Sequence, residues 1–475
     1  MNKFFIALAA LAGICCQSST VEAQPTWTVG NTTLTETDLV TGVSLPWEIL
    51  WGPDDYIWCS TRPGLVLRID PETGNYETVL DLTDIIFDEG SGEPGMLGMA
   101  LYPNWDVLQR VFIVYCHGSG FNVSERLSAF DYSDGQLVNE QILIDEIPAG
   151  YIHDGSRIII TSDFKIMMTT GDTGDGGDSS QDLDAINGKV LRVNLDGSIP
   201  SDNPDPSSYV WSYGHRNGQG LCVGPTGIIY ESEHGQNASD EFNIIEPGRN
   251  YGWPNVQGAC NTMSEQTYCT ENNVKEPLKE WTPCVAVNGI SYYNHPAIPE
   301  WENSIIMGVM GGLGGANGNN DRVSVLHLSD DGLTVESEDQ YFTSLNQRFR
   351  DVCINPYNGC LYVALNGSQY PGNGPNKIKA FCNLDFDSGL KPENQGPTQS
   401  ISLYPNPAGN EIHVNVTPEL VGQKLSVYAY SGALVLESVL ENGDSTLDIS
   451  ALPGGNYWVK ASSALGTVTS NFSKN

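Results

Sequence analysis

Residues 157–170 read RIIITSDFKIMMTT: an apolar run, a short polar turn and a second apolar run. Two apolar runs joined by such a turn make a β-hairpin. The pattern recurs as ILWGPDDYIWCST (49–61), MALYPNWDVLQRVFIVYC (99–116), LCVGPTGIIYES (221–232) and VCINPYNGCLYVAL (352–365), with a weaker member, NSIIMGVMGG, at 303–312. Successive starts lie roughly 50 to 80 residues apart. Hairpins repeating at that spacing fit the four-stranded blades of a β-propeller, and six occurrences predict six blades. An irregular β-sandwich is the other all-β architecture open at this point.

Outward from the repeats the composition changes twice. Residues 384–399 are polar, with Pro and Gly, and read as a linker. Beyond them EIHVNV (411–416) alternates strictly, LSVYAY (425–430) meets a Ser-Gly turn before ALVLESV (433–439), and GNYWVKAS (455–462) follows Leu452-Pro453-Gly454. These strands predict a small β-sandwich over 400–475. At the other end, Lys3, the apolar stretch Phe4 to Ile14 and Val21-Glu22-Ala23 before Gln24 predict a secretory signal peptide, 1–23. Cys15 and Cys16 suggest a lipoprotein, but Ile14 stands where a small residue should precede the lipidated cysteine. The expected order is signal, propeller (24–383), linker and sandwich.

Charge narrows the function. The 475 residues carry a formal −36, from 22 basic and 58 acidic side chains. Segment 1–23 is neutral, the linker carries −2 and the tail −3, which leaves −31 on residues 24–383. A nucleic-acid partner is excluded by the lack of a basic footprint. After the leader no apolar run reaches the length of a membrane helix. Nine cysteines remain in an exported chain, where disulfides are permitted; Cys260/Cys269 and Cys353/Cys360 are the plausible local pairs. No CxxC spacing points to zinc.

Four clusters carry chemistry. His153 precedes the first strand of the 157–170 hairpin and Asp172 follows the second, so a three-residue turn would make them neighbours, the arrangement of a general base and its orienting carboxylate. Arg216 and Asn217 occupy a Gly-bracketed loop, WSYGHRNGQG (211–220), able to aim a guanidinium at an oxyanion. Residues 231–254 gather Glu233, His234, Asp240 and Glu241 around Gly235, with Tyr251 beyond, an oxygen-rich set that suits Ca²⁺. Arg348 and Arg350 alternate in QRFRDV and face one side, as for an anionic ligand. Each cluster also has a structural reading: a strand-end hydrogen bond, a surface salt bridge or a solvated acidic loop. The acidic run 171–184 lacks the spacing of a calcium loop.

Taken together, residues 46–381 resemble the soluble glucose/sorbosone (aldose) dehydrogenases that use pyrroloquinoline quinone (PQQ). The resemblance rests on PWEILWGPDDYIW, GEPGMLGMALYP, HDGSRI with TTGD, NGKVLRVNLDGSIPSDNP, GHRNGQG, SEHGQNASDEFN with GRNYGWPNV, and QRFRDV, in that order. It implies a six-bladed propeller, His153 as base oriented by Asp172, Arg216 over the quinone carbonyl, and Asn217 and Glu93 beside the cofactor. Glu93 stands where the family often has Gln. Arg348 and Arg350 would face the cofactor carboxylates, and the Gly235 and Gln236 carbonyls would hold the catalytic Ca²⁺. Glu241 and Tyr251 match a second, structural Ca²⁺ site. The family lysine that pairs with the cofactor falls near Gly311, in MGGLGGANGNN. The implied reaction oxidises the anomeric carbon of an aldose to a lactone, with electrons passed to an external acceptor. The alternative is a non-catalytic propeller that binds sugar or protein. The tail, through SLYPNPAGNEIHV (402–414) and LPGGNYWVKA (452–461), resembles the type IX secretion sorting domains typical of the Bacteroidetes. It implies the type IX machinery as partner and a secreted or surface location, with a carbohydrate-binding or structural module as the other reading.

Overall fold

The computed structural model describes residues 24–474 except 88–91, 121, 313–319, 369–373, 387–400, 430–433 and 464–465. The expected signal peptide, most of the linker and most of the glycine-rich stretch after Met310 lie outside the described residues.

Six antiparallel sheets follow one another along the first 382 residues. Their inner strands are Pro46–Trp51, Met96–Leu101, Gly155–Ile160, Gly218–Val223, Val287–Tyr293 and Phe349–Ile354, in blades I to VI. Each inner strand packs on the next, and that of blade VI returns to that of blade I, so the ring closes. Such strands are covered on both faces, which is why they read as apolar runs; all six residues of Met96–Leu101 are buried.

Each pair of neighbouring blades shares its own apolar cluster. Trp58, Val66 and Ile113 lie between I and II, and Phe112, Ile158 and Leu191 between II and III. Phe242, Ile290 and Met307 lie between IV and V, and Trp301, Phe349 and Phe381 between V and VI. Ile49, Leu67 and Ala364 lie between VI and I. Blades III and IV share a small one, built around Met167, Val190 and Tyr251.

The N-terminus completes the last blade. Thr32–Thr41 pairs antiparallel with Asn376–Cys382, and Thr26–Val29 adds a fifth strand outside it. The six-blade count therefore holds, with one adjustment. The weak repeat at 303–312 is the second strand of blade V, Ser304–Val309; its inner strand, VNGISYY, lies upstream and breaks its apolar run with Asn288 and Gly289.

Residues 401–474 form two further sheets, one of three strands and one of four, around a shared core that includes Ile412, Val414, Val427 and Val459. Among the described residues there is one α-helix, Met263–Glu271, closed by a Thr262/Glu265 capping box, and no helix long and apolar enough to cross a membrane. Cys260 and Cys269 are disulfide-bonded, as expected. The second expected pair is corrected: Cys360 bonds Cys382, and Cys353 is a buried thiol. Cys353 lies opposite Tyr362 in its hairpin, whereas Cys360 and Cys382 flank the Leu361–Phe381 pair on adjacent strands.

Candidate active site

The loops that lead into the inner strands emerge on one face of the ring, and every expected catalytic side chain is carried there. His153 precedes the inner strand of blade III, and Asp172 follows the strand Lys165–Thr170 paired to it. The connection is four residues, Thr161 to Phe164, one longer than expected. His153 Nδ1 lies 2.6 Å from Asp172 Oδ1. The carboxylate can only accept, so Nδ1 carries the proton and Nε2 the lone pair. Nε2 in turn accepts from Arg216 Nη2 at 3.0 Å.

The supports of this pair are specific. Burial raises the Asp172 pKa, but hydrogen bonds from His153 and the Gly174 amide, with Trp253 Nε1 at 2.9 Å, outweigh it and hold the carboxyl below its usual range. His153 sits at φ +63°, a left-handed conformation that costs about 1 kcal/mol outside glycine. Its N–H donates to Glu93 Oε2 at 2.7 Å and its carbonyl accepts from Thr173 N at 3.2 Å, which pins that backbone from both sides. A Cβ on Gly171 would stand 1.7 Å from the His153 carbonyl oxygen, so only glycine fits opposite it.

Arg216 reaches across from blade IV. Its Nη1 donates to the carbonyls of His234 (3.1 Å) and Gly235 (2.7 Å), and its guanidinium lies over the Trp253 ring. The Arg216 and Asn217 amides both donate to Glu233 Oε1. Glu233 Oε2 is in turn held by His215 Nδ1 at 3.0 Å. Burial lowers the His215 pKa, but Glu231 and Glu233 outweigh it and raise it to about 10, favouring the charged imidazole.

Beside the pair lies a cavity bounding about 630 Å³ of space, mouth included, lined in part by Trp47, Arg62, Glu93, Asp154, Met310, Arg348 and Arg350. Arg350 donates to the side-chain oxygens of Asn366, Gln219 and Asn288, each at 3.1 Å. Enclosure, together with Arg348, Arg157 and Arg62, pulls its pKa down to about 9. Asn217 Oδ1 accepts from Gly155 N and Gln219 Nε2, and its Nδ2 is buried with no partner among the described residues.

The expected metal ligands divide. Gly235 is next to Arg216, and Gln236 is exposed beside it. Glu241 and Tyr251 line a smaller recess with Glu233 and Trp253. Burial, with Glu233 close by, raises the Glu241 pKa to about 8. The Tyr251 hydroxyl donates to Ile244 O at 2.6 Å and accepts from Glu246 N at 2.9 Å, which leaves only its main-chain carbonyl for a cation.

Sequence reasoning missed Arg62, Trp47 and Trp253. Arg62 directly follows a blade I strand, IWCST, and Trp47 lies within one, so both read as blade residues. Trp253 lies in a loop some 80 residues from its partner Asp172, and no spacing rule links them.

A family model described as glucose/sorbosone dehydrogenase matches residues 43–371, and a secretion system C-terminal sorting domain model matches 402–475. An uncharacterized protein of Synechocystis is 31% identical over 68% of this chain and 82% of its own. Quinoprotein glucose dehydrogenase B of Acinetobacter calcoaceticus is 34% identical over 46% of this chain and 52% of its own. The solved structure of the PQQ-bound aldose sugar dehydrogenase of Streptomyces coelicolor superposes with a TM-score of 0.62, at 27% identity, over 74% of this chain and 98% of that one. With a tail of the kind that directs export to the cell surface or exterior, this six-bladed chain belongs to the glucose/sorbosone dehydrogenase family of oxidoreductases.

Proposed function

We propose that the protein is an exported PQQ- and Ca²⁺-dependent dehydrogenase that oxidises the anomeric carbon of aldoses to lactones. The observation that carries this reading is the His153 base, its tautomer set by Asp172 and its lone pair turned to Arg216. The cavity fits an anionic quinone. Three arginines line it, and Arg350 has amide oxygens where a buried guanidinium usually has a carboxylate. Arg62 is a cation for the cofactor carboxylates where Gly311 has none. The oxygen donors at Gly235, Gln236 and Glu241, with the Tyr251 main-chain carbonyl, are of the hard type that Ca²⁺ takes, and a cation there would offset the burial and the nearby Glu233 that raise the Glu241 pKa.

When bound, PQQ supplies the two-electron acceptor for the C1 hydride. The protein's own part is protonic and electrostatic. His153 Nε2 takes the anomeric hydroxyl proton, for which Arg216 must yield its hydrogen bond to the lone pair. Asp172 stabilises the imidazolium that results. Arg216, released from Nε2 but still braced on the His234 carbonyl, presents its charge to oxygen that becomes negative. Arg348 and Arg350 hold carboxylates. Residues 1–23 direct export, and the tail is the substrate of a type IX pathway.

The test is reconstitution with PQQ and Ca²⁺, followed by dye reduction with a panel of aldoses. Turnover that His153→Ala abolishes, with cofactor binding retained, supports the reading. No turnover and no change in quinone absorbance would sink it in favour of a sugar- or protein-binding propeller.

A further inference from the structure

Blade II contains a second constellation that the proposed reaction does not use. Cys116, on the strand Arg110–Ser119, is the direct cross-strand partner of Glu125, on Asn122–Ser133. Direct partners project from the same face of a sheet. Asp154 comes to that face from the loop that carries His153. One ligand atom from each of the three lies within 4.8 Å of the others. All three residues are buried, at 0%, 0% and 2% exposure.

What makes the group unusual is its unmet demand. Neither Glu125 carboxylate oxygen, nor Asp154 Oδ2, has a hydrogen-bond partner among the described residues. The neighbouring Ser156 hydroxyl, which donates to the Asp154 carbonyl at 3.2 Å, is close enough to Glu125 to ease its charge, but burial outweighs it. The other Asp154 oxygen accepts from Gly150 N at 2.9 Å. A buried carboxylate without a donor is costly, and two facing each other are costlier. Either protons or a metal cation must answer that charge.

We propose that Cys116, Glu125 and Asp154 form a divalent transition-metal site, zinc(II) by ligand type, that ties blade II to the loop carrying His153. One thiolate and two carboxylates are zinc ligands, and zinc(II) leaves the fourth tetrahedral position to water. Asp154 borders the arginine-lined cavity, from which that water can enter. Ligand bonds of about 2.0–2.3 Å set neighbouring ligand atoms roughly 3.5 Å apart, so the side chains need close by no more than about 1 Å on binding. Binding releases the thiol proton and any carboxyl protons to solvent. The three residues come from three segments, so no linear spacing reveals the site. Its role is positional: it holds the residue next to His153 and touches no reacting atom.

The test is independent of sugar oxidation. The full chain is expressed with cobalt(II) in the medium and purified without chelator, and its metal content and absorption spectrum are measured. On the order of one cobalt per chain is expected, with a sulfur-to-cobalt charge-transfer band and tetrahedral ligand-field bands. Cys116→Ser should abolish the charge-transfer band. Glu125→Gln should lower zinc affinity by more than the ~10–100-fold that loss of an outer-shell partner costs. A wild-type protein free of metal would overturn the site in favour of carboxyls that keep their protons. A band that survives Cys116→Ser would also overturn it, by assigning the thiolate to another cysteine such as the part-exposed Cys284.

Discussion

His153 combines a left-handed backbone, a fixed tautomer and a lone pair turned to a guanidinium. Under the proposed reaction, Asp172→Asn keeps the shape but loses the charge that stabilises the imidazolium. We expect kcat to fall about 10²–10⁴-fold with little change in PQQ affinity, read from steady-state kinetics and quinone titration. The pH sign follows from the lowered pKa of Asp172. Its stabilising contribution is complete above the unfolded value of about 3.9 and is lost as pH falls through the lower folded value. Thermal unfolding followed between pH ~2 and ~4 should therefore be less steep in Asp172→Asn than in the wild type. Glu93 gives a second prediction. Its oxygen holds the His153 amide, a bond that glutamine can also accept, but its charge opposes an anionic ligand. Glu93→Gln should tighten PQQ binding about fivefold, the ~1 kcal/mol of one charge at short range in water-like dielectric. An unchanged Kd would mean that this charge is already neutralised. Much of this residue pattern was legible in the sequence, because His153 and Asp172 bracket a hairpin whose geometry follows from local apolar runs. Glu93 and Trp253 were not legible as supports, since their bonds to His153 and Asp172 span 60 and 81 residues.

At the scale of elements, the blades were readable where both strands of the inner hairpin are apolar and the turn is short. Val287–Tyr293 escaped because Asn288 gives its amide oxygen to Arg350 and Gly289 leaves room for Asp351, whose carboxylate a Cβ there would meet at 1.6 Å. A strand end that faces the cavity departs from the hydrophobic pattern for that reason. The blade III–IV seam differs in the same sense: a small apolar cluster is accompanied by His215, Glu231 and Glu233, which brace the Arg216–Asn217 loop. The strand Thr32–Thr41 completes blade VI through Leu34, fully buried in the cluster with Phe349 and Phe381. Leu34→Ala should therefore destabilise the protein by about 3 kcal/mol, the usual cost of a core leucine. Denaturant unfolding checks it, and a change below about 1 kcal/mol would show that the N-terminal strands are not part of the cooperative unit.

Across the whole molecule, charge is arranged in opposition. Residues 24–383 carry −31, yet Arg62, Arg348 and Arg350 line one central cavity. An anionic cofactor must approach through a repulsive field before it meets an attractive site. Screening falls within about 8 Å at physiological salt and reaches the outer surface more fully than the enclosed arginines. The association rate of PQQ should therefore rise with ionic strength, the reverse of a steered encounter, as stopped-flow quinone absorbance would show. A rate that falls with salt would mean that the cavity field dominates at long range.

The ring is closed by partners far apart in the chain: Lys379 is ion-paired with Glu36, 343 residues earlier. Each blade needs mainly contacts within its own stretch, but the circle waits for the final strand of blade VI to be synthesised. Until then the nascent protein is an arc with two open sheet edges, prone to pair with other arcs. Closure consumes both edges at once. The Cys360–Cys382 bridge fastens that final strand to Leu361–Asn366 on its other side, so the join to Thr32–Thr41 is held by the sheet ladder and by ion pairs.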